Sequence, residues 1–487
     1  MRFCTPRKSV DSSRKLFCIV SAAFSLVVSL RRESGMISST GSGLAGSWVA
    51  CGGVTRGLLA CGGVARGSLA RGGLSGIWGA GAAQYAAGDL DAFPFDGAEL
   101  LESYTRVGQR VGLSGVNDDD LAGFLGTDVA LQPPAALGAN ATRLLSRYTR
   151  RRAAFHAQGI ALGHARNAVL TQDLGQRRAC TLCGQCLWGC DRESIYSARH
   201  DLPALEAHPD FTYRGGVRVT QVVGGDAPRL LCGSETLEAP RILLACGTLG
   251  STALVLGALG RPERPLRLAS TPAAGFALLL PERLGRPPAD ELFGLSQLTL
   301  LHEDPTSGDT AYGNLFEADP VPLIDFARHS PISRPTARRM IGVMRSAMLV
   351  GNVFFSGEYS DHTMTLDAQG RPHIHGGHSP ALAGRIDRLR SAVSTALRRC
   401  GILVLPGSFQ PGDPGADVHY AGTLPMSDAP RAWETDRDGE VTGLPGVHVV
   451  DGACLPSLPA KAHTLTIMAN ADRIGRRLAG HGAQRST

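Results

Sequence analysis

The segment from Val418 to Leu478 constrains the fold of this 487-residue chain more than any other stretch. Its apolar run, Val447 to Val450, ends at an Asp-Gly pair, which predicts a buried strand that leads into a turn. After a loop with prolines, apolar residues recur on one face of a predicted helix: Leu465, Met468, Ala471, Ile474 and Leu478. His463 and Thr464 lie at the start of this helix, where free N–H groups and the positive end of the helix dipole favour an anion.

This segment resembles the C-terminal signature of the glucose-methanol-choline (GMC) oxidoreductases, flavoenzymes that oxidise alcohols. The sequence His-Tyr-Ala-Gly-Thr puts His419 before a Gly-Thr pair, where that family has its catalytic base. The later part, from Val450 to Ala471, carries the family's Val-Asp-Gly, Pro-Ser and Thr-Leu-Thr-Ile-Met elements, which wrap the flavin ring. The resemblance therefore implies that Asp451, Gly452 and Thr464 contact FAD.

The second catalytic position departs from the family pattern by one residue. The family has a His or Asn just before the helix, and that position falls on Ala462 here, with His463 one residue later. A one-residue shift in the loop would restore the pair, so the expected catalytic residues are His419 and His463. A site with a single histidine is the alternative.

The resemblance implies an FAD-dependent oxidoreductase that acts on a CH–OH group of a small alcohol or sugar. A base takes the hydroxyl proton, and the flavin, which supplies the difficult chemistry, takes a hydride. His419 is the expected base, because a neutral imidazole that titrates near about pH 6.5 suits proton abstraction at neutral pH. We expect a dehydrogenase, with the electron acceptor (oxygen, a quinone or a protein) left open.

The implied fold class is α/β, with a discontinuous Rossmann-like FAD-binding domain and an antiparallel-sheet substrate domain of α+β type. Residues 1–35 are expected to form a basic and hydrophobic leader-like segment, and 36–260 the first part of the FAD-binding domain. The substrate domain is expected over 261–410, where short strand-like runs alternate with a predicted helix from Ala381 to Cys400. Residues 411–487 complete the FAD-binding domain and carry the catalytic His.

Positive charge is concentrated at the N-terminus. Residues 1–88 hold ten Lys and Arg but two acidic residues, so the net charge of +6 comes from this part of the chain, and we expect no nucleic-acid binding. Residues 16–30 are mostly apolar and lie between basic residues, which resembles a signal peptide or a short anchor. A cytoplasmic location is favoured, with export or membrane association through residues 16–30 as the alternative.

The sequence GSGLAG contains glycines in the spacing that lets a backbone approach a pyrophosphate, namely Gly41, Gly43 and Gly46. Its context is poor, because no convincing strand precedes it and no acidic residue follows at the expected distance of about 20 residues. A Gly-rich ten-residue repeat without a helix or strand period occupies residues 51–80 instead. The adenosine-binding unit is incomplete relative to the family, through an authentic insertion or, as we favour, a defective gene prediction.

Three further segments match the family on the side of the flavin and the dinucleotide: GGLSGIWGAG, GVRVTQVV and ILLACGTLG. The resemblance implies that residues in these segments lie along FAD: Gly73, Ser75, Gly79, Val219, Ala245 and Gly247. The alternative for each segment is ordinary structure without a ligand, either a Gly-rich turn or a strand, turn and helix.

Residues 180–190 read CTLCGQCLWGC and have the cysteine spacing of a [4Fe–4S] run, with candidate ligands Cys180, Cys183, Cys186 and Cys190. Asp191 follows the last cysteine instead of the usual Pro, and the chain has no second run. A closed zinc site, a disulfide or plain thiols are alternatives. A cluster would pass electrons onward and would favour a dehydrogenase over an oxidase.

Two rival functions follow from these departures. One is a degenerate GMC relative that keeps the fold but binds FAD poorly. The other is an iron–sulfur electron-transfer protein with a vestigial flavin site. The visible spectrum of the purified protein distinguishes them from the flavoenzyme, because flavin bands, broad cluster absorption and no absorption are different outcomes.

Overall fold

A computed structural model describes residues 17–20, 25–28, 57–58, 64–65, 71–260, 262, 264–321, 333–415 and 417–484 of the chain. Strands β1 to β24 are, in chain order, Phe17–Val20, Ser25–Val28, Gly57–Leu58, Val64–Ala65, Leu113–Ser114, Leu131–Gln132, Ile160–His164, Tyr213–Val217, Gln221–Val223, Arg229–Cys232, Glu235–Glu238, Arg241–Leu244, Leu266–Arg267, Ala269–Ser270, Ala273–Leu279, Leu298–Glu303, Thr310–Glu317, Met348–Phe355, Thr363–Leu366, Pro372–His375, Leu403–Val404, Gln410–Pro411, Tyr420–Ala421 and Val447–Val449. Helices α1 to α9 are Leu101–Val111, Ala122–Leu125, Ala139–Arg150, Arg152–His156, Leu202–Glu206, Thr248–Leu259, Arg334–Met344, Ala381–Arg398 and Thr464–Gln484.

A three-stranded parallel sheet joins distant parts of the chain. Strand β12 lies in the middle, with β1 on one side and β24 on the other, and both pairings are parallel. The side chains of Ile242, Leu244, Val447 and Val449 are fully buried, as expected for a parallel sheet that is covered on both faces. Strand β1 lies within residues 16–30, so the apolar segment expected to be leader-like contributes a strand to this sheet.

The predicted helix near the C-terminus is present as α9, which packs against α1. Leu465, Ile474 and Leu478 are buried on its inner face, whereas Met468 and Ala471 are half-buried. In the described part of the chain, no helix combines the length and apolar character needed to cross a bilayer.

A seven-stranded antiparallel sheet forms the other main layer. Its strands run in the order β21, β15, β18, β17, β16 and β7, and β22 also pairs with β15. Side chains alternate along β18: Leu349, Val353 and Phe355 are fully buried in a core with α3 and α8, while Asn352 and Phe354 are half-buried on the opposite face. This alternation leaves one face of the sheet free to line a site.

The two layers confirm the expected fold class, a mixed helix and sheet architecture with a parallel sheet and an antiparallel sheet. The antiparallel sheet also includes β7, residues 160–164, which precede the range 261–410 that the sequence predicts for the substrate domain. The sheet is therefore assembled from both sides of that predicted boundary. Gly41, Gly43 and Gly46 lie outside the described residues.

Candidate active site

The structure brings the two predicted catalytic histidines together. The ring centroids of His419 and His463 are 4.9 Å apart, and the ring planes are nearly perpendicular at 80°. His419 directly precedes β23, and His463 directly precedes α9. The predicted one-residue shift in the loop is thus compatible with a histidine pair, and Ala462 lies beside it in the same loop.

Backbone hydrogen bonds hold the two histidine segments in register. The N–H groups of Gly422 and Leu424 donate to the carbonyl oxygens of Gly452 and Ala453, over 3.0 and 2.9 Å. At the start of α9, the hydroxyl groups of Tyr104 and Thr466 are 2.7 Å apart, which ties this helix to α1. The His-Tyr-Ala-Gly-Thr segment, the Asp-Gly turn and the helix therefore form one connected unit.

Both imidazoles are neutral at physiological pH. Burial lowers the pKa of His419 to about 4, because its ring is closely surrounded although part of the residue is accessible. Burial, together with the neighbouring His419, lowers the pKa of His463 to about 3. The expectation that His419 titrates near about pH 6.5 is therefore wrong, since it ignored the cost of charging a buried ring.

Aromatic side chains of the antiparallel sheet form one wall of the site. The ring of Phe354 on β18 is 4.8 Å from that of His419, and Tyr312 on β17 stacks with Phe354 at 6.5 Å. On the other side, a Cβ atom on Gly81 would lie 3.5 Å from the Tyr312 hydroxyl and 3.7 Å from the Cβ of Ala462. The backbone at Gly81 thus approaches the histidine loop closely.

The residues around the histidine pair fit a flavin. His463 Nδ1 is buried and has no hydrogen-bond partner among the described residues, so it is available to a ligand. Helix α9 has no acidic residue in its first turn, which leaves its positive end open to an anion. A Cβ atom on Gly79 would meet nothing within 4 Å, so the backbone there borders open space.

The other predicted FAD residues divide into open and packed positions. Gly73 and Gly247 have positive φ angles, of 60° and 73°, and border open space. The Ser75 hydroxyl is engaged by the protein, because it donates to Gly72 O in its own loop and accepts from Ala198 N in a distant segment. Val219 is buried in the apolar core beside β12.

Asp451 and Gly452 have clear packing roles. Burial raises the pKa of Asp451 to about 6, and its carboxyl group accepts hydrogen bonds from Ser251 Oγ at 2.5 Å and Ala453 N at 2.9 Å. A Cβ atom on Gly452 would lie 2.7 Å from both Thr248 Oγ1 and Tyr420 O, so only glycine fits. These two residues fasten the end of β24 to α6 and β23. Ala245 directly follows β12 and is partly buried against the same apolar core.

The structure does not support the cysteine run as the predicted ligand set. Among the described residues, no group of three or more His, Cys, Asp or Glu side chains is arranged to hold a metal ion. Burial raises the pKa of Cys186 to about 11, Cys183 is exposed, and hydrogen bonds from residues 192–195 outweigh burial and lower the pKa of Cys190. The cysteines are free thiols in unlike surroundings, so the structure gives the iron–sulfur hypothesis no support.

Sequence reasoning missed several residues around the histidine pair. Phe354, Thr271 and Tyr312 lie in the antiparallel sheet or just after β14, in stretches where the sequence showed no motif. Asp417 lies two residues before His419, but Val418 between them has a φ angle of 61°, so the alternation of an extended strand gives no signal for it.

Comparison with known proteins agrees with the geometry. The GMC oxidoreductase family matches residues 414–471. The chain is 26% identical over 431 residues to paromamine 6'-oxidase from Streptomyces fradiae. This alignment covers 82% of this chain and 74% of the relative. The fold of this chain is similar to that of pyridoxine 4-oxidase from Mesorbium loti, with a TM-score of 0.54, 16% identity and 85% of each chain covered. Residues 414–471 therefore match the GMC oxidoreductase family, and the chain as a whole is similar in sequence and fold to the two oxidases.

Proposed function

We propose that this chain is an FAD-dependent oxidoreductase that oxidises a CH–OH group, with His419 as the general base. The observation that carries the proposal is the perpendicular pair of buried, neutral imidazoles at the N-terminus of α9. A neutral imidazole can accept the hydroxyl proton of an alcohol, and a second one beside it can hold the same oxygen. His463, with its unpartnered Nδ1, is the group we assign to that positioning role.

The residues that would hold the flavin are Gly79, where the backbone borders open space, and the first turn of α9. Gly247, which also borders open space, would lie further along the dinucleotide. FAD, when bound, supplies the hydride acceptor. The N-terminus of α9 would favour negative charge on the bound group.

The face of the antiparallel sheet beside Phe354 suggests the kind of alcohol. Asn314 and Asn352 are paired across β17 and β18, two residues along each strand from the pair Tyr312 and Phe354. The Oδ1 atom of Asn352 is buried without a hydrogen-bond partner among the described residues, while Asn314 Oδ1 accepts from Ser296. Because a buried acceptor without a partner is costly, a substrate hydroxyl or amine is the expected donor. A sugar-like substrate with several polar groups therefore fits better than a simple aliphatic alcohol.

Oxygen is the electron acceptor that we favour. Both relatives reported above are named as oxidases. The sequence argument for a dehydrogenase rested on a cysteine cluster, and the described cysteines are not arranged as one.

A second candidate is a family relative that keeps the fold but binds FAD weakly. The sequence after β1 is Ser-Ala-Ala-Phe, without the glycines that let a backbone approach a pyrophosphate at the end of a first strand. Measurement of bound FAD per chain separates the two candidates. The proposed oxidoreductase requires a site that FAD can fill, whereas the second candidate binds FAD only weakly.

The function is tested by mixing the FAD-loaded chain with polyols, amino sugars and simple alcohols without oxygen. Bleaching of the flavin by a sugar-like alcohol, followed by hydrogen peroxide formation when oxygen is admitted, is the expected result. A filled flavin that no alcohol in the panel bleaches would contradict the proposal. Bleaching of the flavin without peroxide formation would support the alcohol oxidation but would contradict oxygen as the electron acceptor.

A further inference from the structure

A chain of hydrogen bonds reaches His419 from the side opposite the substrate wall. The hydroxyl oxygen of Thr271 is 3.0 Å from His419 Nδ1 and 3.1 Å from Asp417 Oδ2. Thr271 is fully buried and follows β14 directly. Ser270 also donates to Asp417, with its hydroxyl oxygen 2.8 and 3.0 Å from the two carboxylate oxygens.

The pairing of two strands explains why these groups meet. Strands β14 and β23 are antiparallel, with Ser270 opposite Tyr420. The next position along this register puts Thr271 opposite His419. Antiparallel partners face each other closely, so the contact between Thr271 and His419 follows from the strand register.

The backbone between Asp417 and His419 is strained at Val418, beside the contact between Thr271 and His419. Val418 has a φ angle of 61°, in the left-handed region that a β-branched residue rarely adopts. Such a conformation persists only where the surrounding structure holds it in place. Here the flanking residues on both sides, Asp417 and His419, are bound to the same hydroxyl group.

The direction of each hydrogen bond in this chain can be assigned. The Asp417 carboxylate only accepts, and it receives bonds from Ser270, Thr271 and the backbone N–H groups of Asp417 and His419. Thr271 has a single hydroxyl proton, which goes to the carboxylate, because a charged acceptor makes the stronger bond. A lone pair of the Thr271 oxygen then accepts a hydrogen bond from the N–H group at His419 Nδ1.

We propose that Asp417, acting through Thr271, holds His419 in the tautomer that carries its proton on Nδ1 and leaves Nε2 free. Which ring nitrogen is protonated is set by the hydrogen bond that the other one makes. The free Nε2 is the atom that can take the hydroxyl proton of the substrate. Asp417 and Thr271 are thus positioning residues, and their catalytic importance rests on the proposed role of His419 as base.

The protonation states support this arrangement. Burial raises the pKa of Asp417 to about 6, and its hydrogen-bond donors oppose that rise, so the carboxyl group is mainly ionised above pH 7. When Nε2 takes a proton, the ring becomes cationic. The negative charge of Asp417, relayed by the Thr271 hydroxyl, then stabilises that cation.

The test reads the tautomer directly, without substrate. The chain is labelled with ¹⁵N in its histidine rings, and the ring nitrogens are observed by NMR at pH 8, with His419→Gln to assign the signal. We expect Nδ1 of His419 to be protonated and Nε2 to be bare. In Asp417→Asn the amide N–H turns toward Thr271, whose hydroxyl then donates to Nδ1, so the proton moves to Nε2.

Three further variants test the hydrogen-bonded link from Asp417 through Thr271 to His419, which we call the relay. Thr271→Val removes the hydroxyl and should abolish the preference for Nδ1–H, while Thr271→Ser should restore it. Ser270→Ala is the matched control, because it removes a donor to Asp417 but leaves the link to His419, so the tautomer should be kept. The Thr271 variants still decide the question if Asp417→Asn does not fold.

Flavin reduction gives the functional readout. Reversal of the tautomer of a catalytic histidine costs up to about 10⁴-fold in rate, so Asp417→Asn should slow flavin reduction by roughly 10²–10⁴-fold with little change in substrate affinity.

Two NMR results would overturn the proposal: a wild-type ring protonated on Nε2, or an unchanged tautomer in both Asp417→Asn and Thr271→Val. These results are independent of turnover. They therefore separate a failure of the relay from a failure of the proposed alcohol oxidation.

Discussion

The histidine pair and the cysteine run were both indicated by sequence motifs, but the structure supports only the histidine pair as a candidate site. His419 and His463 belong to separate segments, and packing brings their rings to 4.9 Å. The four cysteines all lie within residues 180–190, and no group among them is arranged to hold a metal ion. A regular cysteine spacing therefore does not by itself arrange the thiols around a metal ion.

The surroundings of the two groups explain the difference. The two histidine rings contact each other, and burial lowers the pKa of each. The cysteines face different neighbours: Cys183 is exposed, whereas a Cβ atom on Gly294 would lie 3.2 Å from Cys186 Sγ, so that thiol packs tightly against the backbone. A shared buried environment, more than a regular spacing, supports the histidine pair as the proposed chemical centre.

The largest expected effect concerns His419. In a variant that still holds FAD, His419→Ala should slow flavin reduction by a substrate alcohol by roughly 10²–10⁴-fold, because the proposed general base is lost. His373→Ala is a suitable control, since that ring contacts His375 on β20 rather than the pair. Anaerobic stopped-flow absorbance measures both rates, and an unchanged rate in His419→Ala would remove the mechanism whatever the fold.

A smaller effect is expected from His463. His463→Ala should slow flavin reduction on the order of 10–10²-fold, as expected for a group that positions the substrate oxygen. The same stopped-flow measurement applies. If the rate does not change, the site has a single histidine and the second family position is Ala462.

The N-terminal segment is expected to limit FAD binding. The sequence after β1 lacks the glycines of a dinucleotide loop, so the unmodified chain should hold FAD weakly or below one per chain. Replacing residues 1–70 with a family-typical βαβ unit should tighten the Kd for FAD by at least about tenfold. Tight, stoichiometric FAD in the unmodified chain, measured by absorbance after gel filtration, would show that this interpretation of the N-terminus is wrong.

The smallest effect is expected from the cysteine run. Changing Cys180, Cys183, Cys186 and Cys190 together to Ser should alter flavin reduction by less than about twofold, because these thiols lie outside the histidine site. Iron and sulfide assays on anaerobically prepared wild-type protein accompany the rates. Stoichiometric iron that is lost in the Ser variant, with a large drop in turnover by an external acceptor, would restore the cluster hypothesis.

Local patterns were sufficient to predict much of the fold. The predicted strand from Val447 to Val450 is observed as β24, and the predicted helix from Ala381 to Cys400 as α8. Apolar runs and helix periodicity are local signals, so they survive in a single sequence. The strand β1 was not predicted, because a short apolar run between basic residues is also typical of a leader.

The site itself was predicted in part. The sequence supplied both histidines through their family motif, but it gave no indication of Thr271 or Phe354, which reach His419 only through the strand register and the packing of the sheet. The lowered pKa values of the histidines were also missed, because burial depends on the folded surroundings rather than on neighbours in sequence.

Single-turnover reduction of the flavin tests the central claim most directly. The FAD-loaded chain is mixed without oxygen with a sugar-like alcohol, either unlabelled or deuterated at the carbon that bears the reacting hydroxyl. Our account predicts bleaching of the flavin that is slower with the deuterated alcohol in the wild-type chain, and nearly absent in His419→Ala. Bleaching at equal rates in the wild-type chain and in His419→Ala would contradict the assignment of the histidine pair as the centre of the chemistry.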